Sequence, residues 1–189
     1  MIERVKTMTV AEFVRLYDTE GPFEIINGEI IKLSPTVAGH GDKAKTLYDA
    51  ILIFDPQKTC VAAYFDLPFV LLESSDWVRG SRVPDIMVFH ADRIARYKAE
   101  NPDWEYKPFA LVPDLVVEVI SSNDNYTDVD AKVERYLDDG VQVVWVVDPR
   151  RKTIKVQRQG TYRTLHIGDV LTGDEVIPGF ELALQAVFG

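Results

Sequence analysis

Hydrophobic and polar positions alternate between two periods along the chain, and the switches mark the elements. Thr9-Val10-Ala11-Glu12 has the form of a capping box, and Val10, Phe13, Val14 and Tyr17 follow at helical spacing. A short helix is therefore expected to about Tyr17, ended by Gly21-Pro22. In FEIINGEIIKL two strand-like runs flank Asn27-Gly28, a strong local signal for a hairpin. From Gly39-His40-Gly41 to Phe54 the period returns to helical, with Ala44, Leu47, Tyr48, Ile51 and Leu52 on one face. Residues 61–72 and 83–90 read as two strands joined by a polar turn. Residues 91–109 read as a helix or a surface excursion.

The pattern is sharpest in the second half. DLVVEVIS (114–121) and VQVVWVVDP (141–149) are β-branched and nearly continuous, as expected of strands buried on both faces. Between them lies a helix with Val129, Val133, Tyr136 and Leu137 on one side and Gly140 at its end. Strand, helix, strand at this spacing predicts two parallel strands with a right-handed crossover. One more hairpin is expected around Gln159-Gly160, followed by a short C-terminal segment. The fold class predicted is mixed α/β in a single domain over 1–189, with hairpins towards both ends.

Within this pattern, charges stand where they are costly. Glu118 sits inside an apolar strand, and an ionised carboxylate there costs several kcal/mol, roughly, unless it is paired or metal-bound. Asp85 falls at the start of another strand, with Met87 and Phe89 in phase. Asp114, Val116, Glu118 and Ile120 share a face. If the two strands are neighbours, Asp85 and Glu118 converge into a hard-oxygen site suited to Mg²⁺ or Mn²⁺. Taken alone, Asp85 also fits a turn or cap. Lys132 borders the apolar arc of the crossover helix, where it either reaches Glu118 or snorkels to water. His40, between two glycines, is either a surface cap or a proton-transfer group. Glu24 and Glu29 flank the first hairpin and offer further carboxylates or solvated ones. His90 and His166 have no constellation around them.

Composition narrows the classes. The 189 residues carry 21 Lys+Arg against 30 Asp+Glu, a net charge of -9, which argues against a generic nucleic-acid coat. A single cysteine, Cys60, excludes a disulfide framework and a cysteine-based zinc site and fits a reducing, cytoplasmic setting. No apolar run is long enough for a membrane span, and MIERVKTMTV lacks a signal-peptide core. Phosphate-loop, HExxH and GxSxG motifs are missing. One segment opposes the overall charge. Residues 150–163 hold Arg150, Arg151, Lys152, Lys155, Arg158 and Arg163 and no acid, leaving -15 on the rest. These cations either line a DNA-facing flank or solubilise an edge strand.

FEIINGEIIKLSP, Gly39-His40-Gly41, RVPDIMVF, PDLVVEVISSND, the KVERYLDDGV helix and VVWVVDPRRKTI together resemble the Uma-two family of the PD-(D/E)XK restriction-endonuclease-like superfamily. The similarity runs from about residue 8 to 188. The resemblance implies a restriction-endonuclease-like core, a mixed sheet flanked by helices with N-terminal and C-terminal β-hairpins. It matches Pro84-Asp85 to the PD motif and Glu118-Val119-Ile120 to (D/E)XK, with Ile120 where lysine is usual. Lys132 matches the lysine that this superfamily can carry on a neighbouring helix. The implied activity is Mg²⁺- or Mn²⁺-dependent hydrolysis of DNA, with the ion on Asp85, Glu118 and the Ile120 carbonyl. Lys132 would orient water or offset charge, His40 would assist, and a homodimer is the superfamily expectation. Two other readings stay open: a restriction-endonuclease-like module that binds protein or nucleic acid without cutting, and a hydrolase of a smaller phosphate compound.

Overall fold

The computed structural model describes residues 8–35, 37–121 and 124–189; the leader reading of the first seven residues lies outside them. The elements run β1 (Met8–Thr9), α1 (Val10–Glu20), β2 (Phe23–Ile26), β3 (Glu29–Lys32), α2 (Ala38–Phe54), β4 (Val61–Phe65), β5 (Phe69–Ser74), β6 (Trp77–Arg82), β7 (Ile86–His90), α3 (Ala91–Glu100), β8 (Leu115–Val119), α4 (Tyr126–Asp138), β9 (Val143–Asp148), β10 (Thr153–Arg158), β11 (Thr161–Leu165), β12 (Val170–Thr172), β13 (Glu181–Ala183) and α5 (Leu184–Phe188).

The central sheet has six strands in the order β11-β10-β9-β8-β7-β4. Its parallel pair is β8 and β9, in register from Leu115↔Val143 to Val119↔Val147, and α4 is the crossover between them. Alternation along these strands feeds two cores. Leu115, Val117 and Val119 join Trp145, Ile86, the Ala44-Leu47-Ile51 face of α2 and the C-terminal Leu184, Val187 and Phe188. Val116 faces the other way with Met87, Phe89, Val144 and Val146, against Ile94 of α3 and Val133 and Tyr136 of α4.

A second sheet is built from β1, β6, β2 and β3, with β5 also paired to β6. It shares a core with Phe13 of α1. The capping box forms as expected: Thr9 Oγ1 accepts from Glu12 N, and Glu12 reaches back to Thr9 N. The helix continues to Glu20, three residues past the expected end.

Residues 61–72 are not one strand. The chain breaks at Asp66, whose φ is 52°, and passes from the central sheet into the second sheet. β5 then forms an antiparallel ladder with β6 (Trp77–Arg82), so the stretch expected to be a polar turn between 61–72 and 83–90 holds a strand of its own. Phe69 and Leu71 pack towards α4, and Val70 packs into the core under α1, so β5 joins the two sheets. A further small hairpin, β12-β13, closes the C-terminal side.

Candidate active site at one end of the central sheet

Four strand ends meet at one edge of this sheet. In the antiparallel β7-β8 pair, Ile86 lies opposite Val117, so Asp85 sits beside the C-terminal end of β8. Asp85 itself precedes β7, in a bend after Val83-Pro84. The expected strand phase of Asp85 with Met87 therefore does not apply, and its carboxylate turns across the end of the sheet. Its Oδ2 accepts from Val119 N at 2.7 Å. Its Oδ1 lies 2.7 Å from His40 Nε2, in the first turn of α2.

Glu118 approaches from the face covered by α4. Its Oε2 accepts from Lys132 Nζ at 2.9 Å and its Oε1 from Tyr136 Oη at 2.5 Å. Lys132 and Tyr136 are one helical turn apart, which places both donors over the same spot on the sheet. Lys132 Nζ is also 3.7 Å from Glu24 Oε1 on β2. Glu24 is 2% exposed and accepts from Val83 N at 2.9 Å. Glu24 thus ties the second sheet to the segment leading into Asp85. Arg82, also buried, pairs with Asp139 at the end of α4 at 2.8 Å and donates to the Ile25 carbonyl.

Electrostatics follows from burial and neighbours. Burial pushes the Glu118 carboxyl up to about 7, Asp85 adds to the rise, and Lys132 and Tyr136 oppose it. Burial alone would lower the Lys132 pKa, but Glu118 and Glu24 outweigh it and hold the ammonium above its ordinary range. Burial and the Glu118 charge push the Tyr136 phenol well up, so it stays a donor. For His40, burial favours the neutral ring, yet the Asp85 hydrogen bond and charge raise its pKa overall. The His40 Nδ1 is buried without a hydrogen-bond partner.

The structure thus gathers Asp85, Glu118, Lys132, His40 and Glu24. Glu29 pairs across from Ile26 on β3 and makes no ion pair with Lys132 among the described residues. The Ile120 side chain packs against the α4-side core, and its N–H donates to the Val147 carbonyl at 2.8 Å. The position usual for lysine is apolar here, and Lys132 brings an ammonium from the helix instead. Helical periodicity alone places Tyr136 in the core and does not reveal its hydrogen bond to Glu118. The available signal was its place four residues after Lys132, since a buried phenol needs a hydrogen-bond partner.

The basic segment divides. Arg150, Arg151 and Lys152 form the β9-β10 turn at the same sheet end as Glu118. The others meet acids from elsewhere in the chain. Lys155 pairs with Asp130, Arg158 with Asp174 and Glu175, and Arg163 with Asp174. Arg151 Nε also lies 3.9 Å from Asp148, so this stretch, sharply basic when counted locally, has much of its charge offset by acids outside it.

Chemically, Asp85 and Glu118 offer carboxylate oxygens. No group of three or more His, Cys, Asp or Glu side chains fit to hold a metal ion occurs among the described residues. Asp85 and Glu118 supply carboxylate oxygens, the donor type that hard divalent ions take, and such ions keep several waters and need only one or two carboxylates.

Residues 10–185 match the Uma2 family, described as "Putative restriction endonuclease". The chain belongs to this family. Its fold is also similar to a solved structure from Anabaena variabilis ATCC 29413, described as "a putative nuclease belonging to DUF820". The TM-score is 0.76 at 24% identity, covering 96% of this chain and 97% of that one. Among curated proteins none matches. The restriction-endonuclease-like expectation is thus met in family and in fold. No helix among the described residues is long and apolar enough to cross a membrane.

Proposed function

We propose that this Uma2 member is a Mg²⁺- or Mn²⁺-dependent endonuclease that hydrolyses DNA phosphodiester bonds. The observation that carries the reading is the convergence of Asp85 and Glu118 at one sheet end, with Lys132 Nζ 2.9 Å from Glu118. Asp85, Glu118 and the Ile120 carbonyl are the residues that would hold the ion. A bound divalent cation lowers the pKa of water and offsets charge on phosphate.

The chain's own groups have separable tasks. Tyr136 and Lys132 fix both oxygens of Glu118. Lys132 remains an ammonium, so its contribution is positive charge against a developing phosphorane rather than proton abstraction. Glu24 steadies that ammonium from the other side. His40 orients Asp85 through Nε2 and, with its pKa raised by the Asp85 hydrogen bond and charge, is the imidazole available for proton transfer at this site.

A second reading, a module that binds without cutting, draws support from one observation. Every oxygen of Asp85 and Glu118 already accepts a hydrogen bond within the protein.

Incubating the full chain with plasmid, linear duplex and single-stranded DNA in Mg²⁺ or Mn²⁺ separates the two. Cleavage is expected, and Asp85→Ala should lower its rate about a hundred- to a thousand-fold. No cleavage by the wild type, or equal cleavage by Asp85→Ala, would sink the hydrolase reading.

A further inference from the structure

The strands at the candidate site lie in the order β4-β7-β8-β9. Asp85 immediately precedes β7 and Glu118 lies in β8, the middle two. The flanks therefore lie towards β4 on one side and β9 on the other, and both present planar or apolar groups to solvent.

On the β9 side, Tyr126 begins α4 and is 40% exposed. The guanidinium carbon of Arg151 lies 4.5 Å from its ring centroid, and the Arg151 side chain is 68% exposed. Asp148, only 5% exposed, holds both. Its Oδ2 accepts from Tyr126 Oη at 2.8 Å, and its Oδ1 accepts from Arg150 N and Arg151 N at 3.0 Å. A buried carboxylate thus fixes the ring and the turn that carries the arginine, while the outer face of the guanidinium stays in water. On the β4 side, Phe65 and Leu67 are exposed, and Asp66 N between them donates to the Asp85 carbonyl at 3.0 Å.

A surface staple needs a contact, but not a flat cation preset over a ring beside an acidic centre. Preorganised planar groups lower the entropy cost of stacking a nucleobase. The charge pattern selects among nucleic acids. Asp124 and Asp128 lie at the start of α4 and oppose the dense phosphates of a duplex. A strand with unstacked bases offers π-faces in compensation, whereas a duplex hides them between neighbours.

Resting on the endonuclease reading, we propose that Tyr126 and Arg151 form a base-stacking platform for a single-stranded or unpaired nucleotide next to the bond to be cut. Phe65 and Leu67 shape the opposite flank.

The test measures binding of a labelled oligothymidylate and of a duplex of equal length by anisotropy, with Ca²⁺ replacing Mg²⁺ to hold off cleavage. The wild type should prefer the single strand. Arg151→Ala and Tyr126→Ala should each weaken single-strand binding roughly ten-fold, with Arg151→Lys restoring only part of the loss. Arg96→Ala, which removes one charge from α3, serves as the charge control and should bind as wild type does. Melting temperatures identify any variant that fails to fold, and exposed Arg151 keeps the test available if Tyr126→Ala does. Duplex preference, absence of binding by the wild type, Arg151→Ala binding within about two-fold of wild type, or full rescue by lysine would each overturn the platform. Cleavage by a wild type whose Arg151→Ala variant binds normally would remove the platform and leave the hydrolase. Arg151-dependent binding without cleavage would do the reverse.

Discussion

Asp114 and Glu118 bound the same short strand, four residues apart on one face, and both carboxylates are buried. Their surroundings differ. Asp114 Oδ1 accepts from Arg93 at 2.7 Å and Gln142 at 2.8 Å, and its Oδ2 accepts from His90 N at 2.9 Å. Those donors belong to α3, to the entry of β9 and to the end of β7, so Asp114 fastens three elements. Glu118 takes both of its donors from α4, shares one of them with Glu24, and has Asp85 as a like-charged neighbour. A buried carboxylate is therefore not by itself a mark of chemistry. What distinguishes the Glu118 end is a second carboxylate, Asp85, close enough to raise the Glu118 pKa, with a single donor on each Glu118 oxygen.

The largest separation between the two ends is expected in stability. Asp114→Ala should cost about 3 kcal/mol, because it strands Arg93, Gln142 and a backbone N–H. Urea unfolding checks this, and a loss below about 1 kcal/mol would remove the fastening role. Activity per folded molecule should survive, in contrast to Asp85→Ala.

A pH series sharpens the comparison next. The folded chain retains the Glu118 proton up to about 7, while the ordinary carboxyl releases it near 4.5. The contribution of this group to stability is thus fully present below 4.5 and is lost as pH rises through 7. Glu118→Gln has no such titration. Without divalent cations, the stability of wild type relative to Glu118→Gln should fall between those limits and then level off. A difference that is flat or rises with pH would contradict the raised pKa.

The smallest effect is expected at Tyr136. Tyr136→Phe removes one donor from Glu118 without changing the packing, and should cost about 1 kcal/mol in the same assay. A gain in stability would mean that the phenol strains the site.

Much of this was legible before the fold. The β8-α4-β9 unit follows from two β-branched runs around an amphipathic helix, and the β2-β3 hairpin from Asn27-Gly28. The out-of-place charges in apolar runs pointed to Asp85 and Glu118. Three things resisted a local reading. The run over 61–72 is apolar on both sides of Asp66, so hydrophobicity did not show that Asp66-Leu67-Pro68 sends its halves into different sheets. Tyr136 satisfies helical periodicity as a core residue, which hides the task of its hydroxyl. The cations at 155, 158 and 163 meet Asp130, Asp174 and Glu175 only in the folded chain, and a count over one segment does not see such partners.

The central claim is that the Asp85-Glu118 end, and not the Asp114 end, holds a divalent cation. Titrating Mn²⁺ into the wild type, Asp85→Asn, Glu118→Gln and Asp114→Asn, followed by the paramagnetic signal of free Mn²⁺, tests it without relying on cleavage. A saturable site is expected in the wild type, persisting in Asp114→Asn and lost in the other two. No saturable site in the wild type, or one untouched by Asp85→Asn and Glu118→Gln, would contradict it.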